Sequence, residues 1–117
     1  MSTVPKVNLI VNQGATFRHK FTWQDVKKRA INLTGYSARM QVRGSVADSA
    51  ILLSLNTTNG GIALGGVTGT ISLYLSATAT SAINWSKSVY DIELEDASGE
   101  VTRLVGGTIT TTPEVTR

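Results

Sequence analysis

A lone histidine, three carboxylates at alternate positions, three glycine pairs and two tryptophans are the residues of this chain whose types and spacing reach toward chemistry. His19 is the only histidine. A Ser-His-Asp relay would have to use it, and a histidine-based metal site would need carboxylates for its other ligands. It falls on the same predicted strand face as Phe17 and Phe21, the setting of a packed or edge-placed structural histidine. Asp91, Glu93 and Glu95 stand at i, i+2 and i+4, on one face of a strand, where a hard cation such as Ca²⁺ could bind. No loop of alternating acidic ligands around a glycine accompanies them. Gly60-Gly61, Gly65-Gly66 and Gly106-Gly107 lack the Lys-Ser/Thr and the strand-to-helix setting of a phosphate cradle, and read as bends. Trp23 and Trp85 could stack on a sugar or a partner, but in a small β protein they fit the core or its rim better. No catalytic, cofactor-binding or metal-ligating residue is assigned on these grounds, no cofactor is expected, and the chain reads as a non-enzyme.

The elements that must carry these residues centre on Thr16 to Arg43. Phe17, His19, Phe21 and Trp23 alternate with Arg18, Lys20, Thr22 and Gln24, and Ala38, Met40 and Val42 alternate with Arg39, Gln41 and Arg43. Two half-buried strands joined as a hairpin or a corner are expected, with the charged stretch from Asp25 to Ala30 outside. Before them lie a flexible lead over residues 1–6 and a short strand at Val7 to Val11. After them, Ser45 to Ala50 reads as one loose helical turn or a loop, and Ile51 to Leu55 as a strand. Asn56 to Gly61 is a turn that should lead into a hairpin partner. Ile62 to Leu64, interrupted at Gly65-Gly66, resumes at Thr70 to Leu75 with Ile71, Leu73 and Leu75 inward. A cap at Ser76 or Thr78 would start the only helical turn, which plugs one end with Ile83 and Trp85. Tyr90, Ile92 and Leu94 alternate in the next strand, Asp96 to Gly99 is a hairpin loop, and Val101 to Thr112 returns across a bulge or close backbone approach at Gly106-Gly107. About seven short strands and no long helical period give an all-β fold, an antiparallel sandwich or small barrel of immunoglobulin-like character over residues 7–112, followed by a tail at 113–117.

With 117 residues the chain makes one domain that buries roughly two thirds of its unfolded surface. It has no cysteine, so disulfides and thiolate metal sites are excluded. The apolar run near the N-terminus falls far short of a signal-peptide core or a span of about 20 residues. A soluble product that stays in the cytoplasm of the producing cell is expected, with no membrane partner. The net charge of +3 is mild, and Lys27-Lys28-Arg29 is the one basic run. Without interleaved aromatics it reads as a solvated turn, and no nucleic-acid partner is expected. Arg18, Lys20, Arg39 and Arg43 are expected to face Asp91, Glu93 and Glu95 as cross-strand pairs.

The order Gln13-Gly14-Ala15-Thr16-Phe17, Phe21-Thr22-Trp23, Ile31-Asn32-Leu33-Thr34-Gly35-Tyr36, Ala38-Arg39-Met40-Gln41-Val42-Arg43 resembles the small β-rich virion structural proteins of tailed bacteriophages and prophages. Gly69-Thr70-Ile71, Val89 to Leu94 and Gly107-Thr108-Ile109 extend the likeness over about residues 7 to 115. The resemblance implies a non-enzymatic part of the tail, neck or collar, or baseplate. It would be present in several copies as a homo-oligomer and bind other virion proteins through sheet edges, loops and terminal arms. Made in the bacterial host cytoplasm, it would reside in the virion. Two other readings stay open: a capsid decoration protein, and a carbohydrate-binding module that attaches to a host-surface glycan. The second would need Trp23, Trp85 or Tyr74 exposed together on one sheet face.

Overall fold

The computed structural model describes residues 4–116. Its strands are β1 (Leu9–Asn12), β2 (Phe17–Thr22), β3 (Ser37–Arg43), β4 (Leu53–Asn56), β5 (Ile62–Leu64), β6 (Thr70–Leu75), β7 (Lys87–Glu95) and β8 (Val101–Thr112). A single α-helical turn, α1 (Ala77–Ser81), lies between β6 and β7, and a short 3-10 turn occupies Gly66–Thr68. The strands form a five-stranded sheet, β1-β8-β7-β3-β4, and a three-stranded sheet, β2-β6-β5. With two separate sheets the fold is a sandwich and not a barrel. The orders β8-β7-β3-β4 and β2-β6-β5 are those of strands G-F-C-C′ and B-E-D in an immunoglobulin domain, so the sandwich is immunoglobulin-like. All strand pairs are antiparallel except β1 with β8, which run parallel. Among the described residues no helix is long and apolar enough to cross a membrane.

Strict alternation builds the core. Met40, Val42, Ile92, Leu94 and Ile109 from the larger sheet meet Phe17, Ile62, Ile71, Leu73 and Leu75 from the smaller one in one cluster. Burying each such side chain stabilises the fold by about 1.5–3 kcal/mol. The inward sets expected for β3, β6 and β7 are those observed.

Of the two connections expected between β2 and β3, hairpin or corner, the chain takes the corner, because the two strands belong to different sheets. Asn56 to Gly61 likewise carries the chain from one sheet to the other, from β4 to β5, in place of the expected hairpin. Its asparagines close it: Asn56 Oδ1 accepts from the Thr58 and Asn59 amides, and Asn59 Oδ1 from the Asn56 and Gly61 amides. Those bonds stabilise the turn whichever sheet follows. Gly65-Gly66 does not interrupt one strand; it begins the turn of the β5–β6 hairpin. Ile51 and Leu52, expected in a strand, are exposed and precede β4.

The helical turn forms where its cap signals placed it. Ser76 Oγ accepts from the Ala79 amide at 3.1 Å. Ser76→Ala is expected to cost about 1 kcal/mol, read as a lower urea midpoint. Thr80, fully buried, fastens the turn to the β1–β2 connection: its Oγ1 donates to Ala15 O at 2.9 Å and accepts from the Gly14 amide at 3.0 Å.

The lead is tied to β8 from Pro5 onward. Gly106 donates to Pro5 O at 3.1 Å and its carbonyl accepts from Val7 N at 2.9 Å. Met1 to Thr3 of the expected flexible arm, and Arg117 of the tail, lie outside the described residues. At the tail's base, the Glu114 amide donates to Gln13 Oε1 at 3.0 Å. Tyr90 reinforces the lead, its phenol donating to Val7 O at 2.6 Å. Burial pushes that phenol's pKa up to about 12, above the value near 10 of an unfolded tyrosine. The folded chain therefore holds this proton after the unfolded chain has released it. That stabilisation is complete below pH ~10 and is lost as the pH climbs toward ~12. Urea midpoints across that window should fall more steeply for the native chain than for Tyr90→Phe; parallel curves would remove Tyr90 from the account.

Candidate functional site

The carboxylates expected to cluster do so, on the outer face of β7. There they are met by guanidinium groups. Arg39 on β3 reaches two of them, with Nε 2.9 Å from Glu93 Oε1 and Nη1 3.0 Å from Glu95 Oε1. Register places Arg39 opposite Glu93, which makes this bridge a direct consequence of strand pairing. The Glu95 and Glu93 carboxylates raise the Arg39 guanidinium's pKa above its already high value. All three groups are substantially exposed, so solvent limits the stabilisation to about 0–1 kcal/mol. Asp91 takes Arg103 on β8, at 3.6 Å.

That last pair depends on a β-bulge. Ile92 opposes Val105 while the next residue, Glu93, opposes Arg103, which leaves Leu104 as the extra residue. The bulge expected near Gly106-Gly107 thus sits two residues earlier, and the glycines serve the close approach of the lead.

Of the other expected basic partners, Arg43 turns away to the Asp48 and Ser49 carbonyls and to Gln41. Arg18 and Lys20 are on the opposite sheet and face none of the three carboxylates. Arg18 lies over the Tyr74 ring instead, 4.8 Å from its centre. Alongside the Arg39 bridge, Arg43, Val46 and Val89 help to line a shallow open groove of about 260 Å³.

His19 is half-buried on β2, its ring 4.6 Å from that of Phe21. Among the described residues it has no hydrogen-bonded carboxylate or hydroxyl, and no group of three His, Cys, Asp or Glu side chains is arranged to hold a metal ion. Its surroundings are those of packing.

The aromatic side chains do not form a platform. Trp23 follows β2 and packs edge-on to Tyr36 at 6.3 Å. Trp85 lies beyond α1, against the core, in a small recess with Gln13 and Pro113. Tyr74 stands on the outer face of the three-stranded sheet beneath Arg18. The three therefore occupy different parts of the surface.

Lys27-Lys28-Arg29 forms a tight solvated turn around Asp25. The Asp25 carboxylate accepts from the amides of Lys27 and Arg29 and pairs with Arg29 Nε at 3.0 Å. Those bonds, led by the one from the Arg29 amide, hold the Asp25 carboxyl below the usual range.

Among the described residues the surface offers sheet faces and sheet edges: a charge-paired face on the larger sheet, a basic face on the smaller, and outer edges at β1, β2, β4 and β5 that pair with no further strand. No protein-family model and no curated protein matches the chain. Among solved structures it is similar to the one behind photo-crosslinking analyses of multimeric cell-adhesive interactions of VGSC beta subunits, with a TM-score of 0.49, 14% identity, and coverage of 99% of this chain and 98% of that one. It is also similar to extracellular domains 3–5 of Drosophila OTK, with a TM-score of 0.41, 13% identity, and coverage of 95% of this chain and 34% of that one.

Proposed function

We propose that this chain is a non-enzymatic structural subunit of a tailed-phage virion, acting by protein–protein contact in the tail, neck or collar, or baseplate. The observation that carries the contact part of this reading is the fate of the reactive side chains. Asp91, Glu93 and Glu95 are engaged by Arg39 and Arg103, and His19 by Phe21, so the polar groups that sequence alone could assign to chemistry are used in packing and pairing. The sheet edges and faces are what such a domain has left to work with. The virion part rests on the sequence resemblance spread over about residues 7 to 115, and a homo-oligomer in contact with other virion proteins follows from it.

Immunogold electron microscopy of particles from the producing strain, with antibody raised against this chain, tests the assignment. Label confined to the tail, neck or baseplate is expected. Label spread over the head would replace it with a capsid decoration protein, and no label on intact particles would overturn the virion reading. The glycan-binding alternative gains nothing from the separation of Trp23, Trp85 and Tyr74.

A further inference from the structure

We propose that the free edge of β2 takes an extended segment of a partner protein, with acidic and apolar residues in alternation, as an added strand of the three-stranded sheet. This edge belongs to the domain itself and does not depend on any place in a virion.

The backbone defines the edge. Trp23 N donates to Gly69 O at 2.8 Å, continuing the register in which Thr22 opposes Thr70. In an antiparallel pair the residues that exchange hydrogen bonds alternate along the strand. The odd-numbered residues of β2 thus bond to β6, and Arg18, Lys20 and Thr22 turn their N–H and C=O groups outward. Among the described residues no backbone hydrogen bond joins those three to another segment. An immunoglobulin sandwich of this order carries a further strand at this edge, beside the one that β2 corresponds to. Here β1 pairs with β8 on the other sheet instead.

The side chains beside the edge show an uncovered seam. β2 has only Phe17 buried on its inward face; His19 and Phe21 are half-buried, whereas the inward residues of the central strands β6 and β7 are buried throughout. Between β1 and β2 runs a groove of about 330 Å³ lined by Ile10, Phe17 and His19, and a second of about 370 Å³ lies where Val7, Phe21 and Leu104 converge. Ile10 is 63% exposed at its rim.

Charge selects the occupant. Arg18, His19 and Lys20 are the titratable side chains of the three-stranded sheet apart from Tyr74, and none of its strands carries a carboxylate. An added strand with acidic residues on its outer face meets Arg18 and Lys20 as favourable cross-strand pairs, while its apolar residues cover the seam. A second copy is a poor occupant. Pairing β2 with β2 sets basic residues beside basic residues, and the other open edges, LIVN, LSLN and IAL, have no acid to offer.

The test is a nuclear magnetic resonance titration of the ¹⁵N-labelled full chain with a synthetic peptide of sequence TEVEVET at millimolar concentration. Saturable shifts at the Arg18, Lys20 and Thr22 amides, with slowed hydrogen exchange there, are expected. A TKVKVKT peptide should bind about tenfold more weakly, and Arg18→Glu with Lys20→Glu should reverse that preference. Lys20→Pro removes an outward N–H without touching the β6 ladder, so it should abolish binding and keep the native spectrum elsewhere. If the double charge reversal fails to fold, Lys20→Glu alone should halve or better the preference for the acidic peptide. Absence of saturable shifts on β2, shifts confined to β4 or β5, or a preference unmoved by charge reversal would each overturn the proposal.

Discussion

Shortening Ile92 to alanine is expected to lower the unfolding free energy by about 3–4 kcal/mol, in the upper part of the range for truncating a buried aliphatic side chain. Ile92 is 0% exposed and sits midway along β7, the strand held on both sides, by β3 and by β8. Its paired neighbours, Met40 and Val105, are themselves 1% and 2% exposed. Two hydrogen-bonded ladders fix the backbone on either side, so the surroundings have little freedom to collapse into the space left, and the cavity cost adds to the lost burial. A domain of this size holds roughly 5–15 kcal/mol in all, so the variant should be close to its limit at physiological temperature. Urea unfolding checks this directly, with a lower midpoint at unchanged slope as the expected result. The same truncation at half-buried Leu53 on the outer strand β4 should cost markedly less. Equal losses at the two positions would mean that the sandwich core is not the rigid body its burial suggests.

The faces of the strands were legible from residue order; their partners were not. Alternation in Val89 to Glu95 and Thr70 to Leu75 placed every inward residue, because a side-chain period of two is a local property of an extended chain. The cap at Ser76 and the loop at Asp96 to Gly99 were legible for the same reason: their hydrogen bonds close within a few residues. Which sheet a strand joins is settled by the whole chain. Arg18 and Arg39 look alike in sequence, each an outward arginine of an alternating strand, yet one lies over Tyr74 and the other bridges Glu93 and Glu95. The candidate site shows the same division. The three carboxylates and Arg39 could be foreseen as a face, whereas Arg103 could not. Counting back from inward Val105 by strict alternation puts Arg103 inside, and only the extra residue at Leu104 turns it out to Asp91. Nothing in Val101 to Val105 announces that bulge.

The second large effect is expected at Gly107, where Gly107→Ala should cost about 2–4 kcal/mol and loosen the lead from β8. Two independent penalties meet there. Its φ of +154° lies in a region that L side chains rarely adopt, and a Cβ would run into the Val7 carbonyl, a backbone group that cannot swing aside. That same carbonyl accepts the Tyr90 hydroxyl, and the adjoining Val7 amide donates to Gly106 O. Relieving the clash therefore pulls on the bonds that fix the start of the parallel β1–β8 pairing. Gly60 supplies the control. Its φ of +82° is also left-handed, but a Cβ there meets nothing within 4 Å, so Gly60→Ala carries the conformational cost alone, about 1–2 kcal/mol. Hydrogen exchange separates the two. Faster exchange at the Val7 and Gly106 amides is expected for Gly107→Ala and not for Gly60→Ala. If both variants lost the same stability with those amides still protected, the lead would be held by something other than its approach to Gly107, and the tight seating of Val7 against β8 would have to be given up.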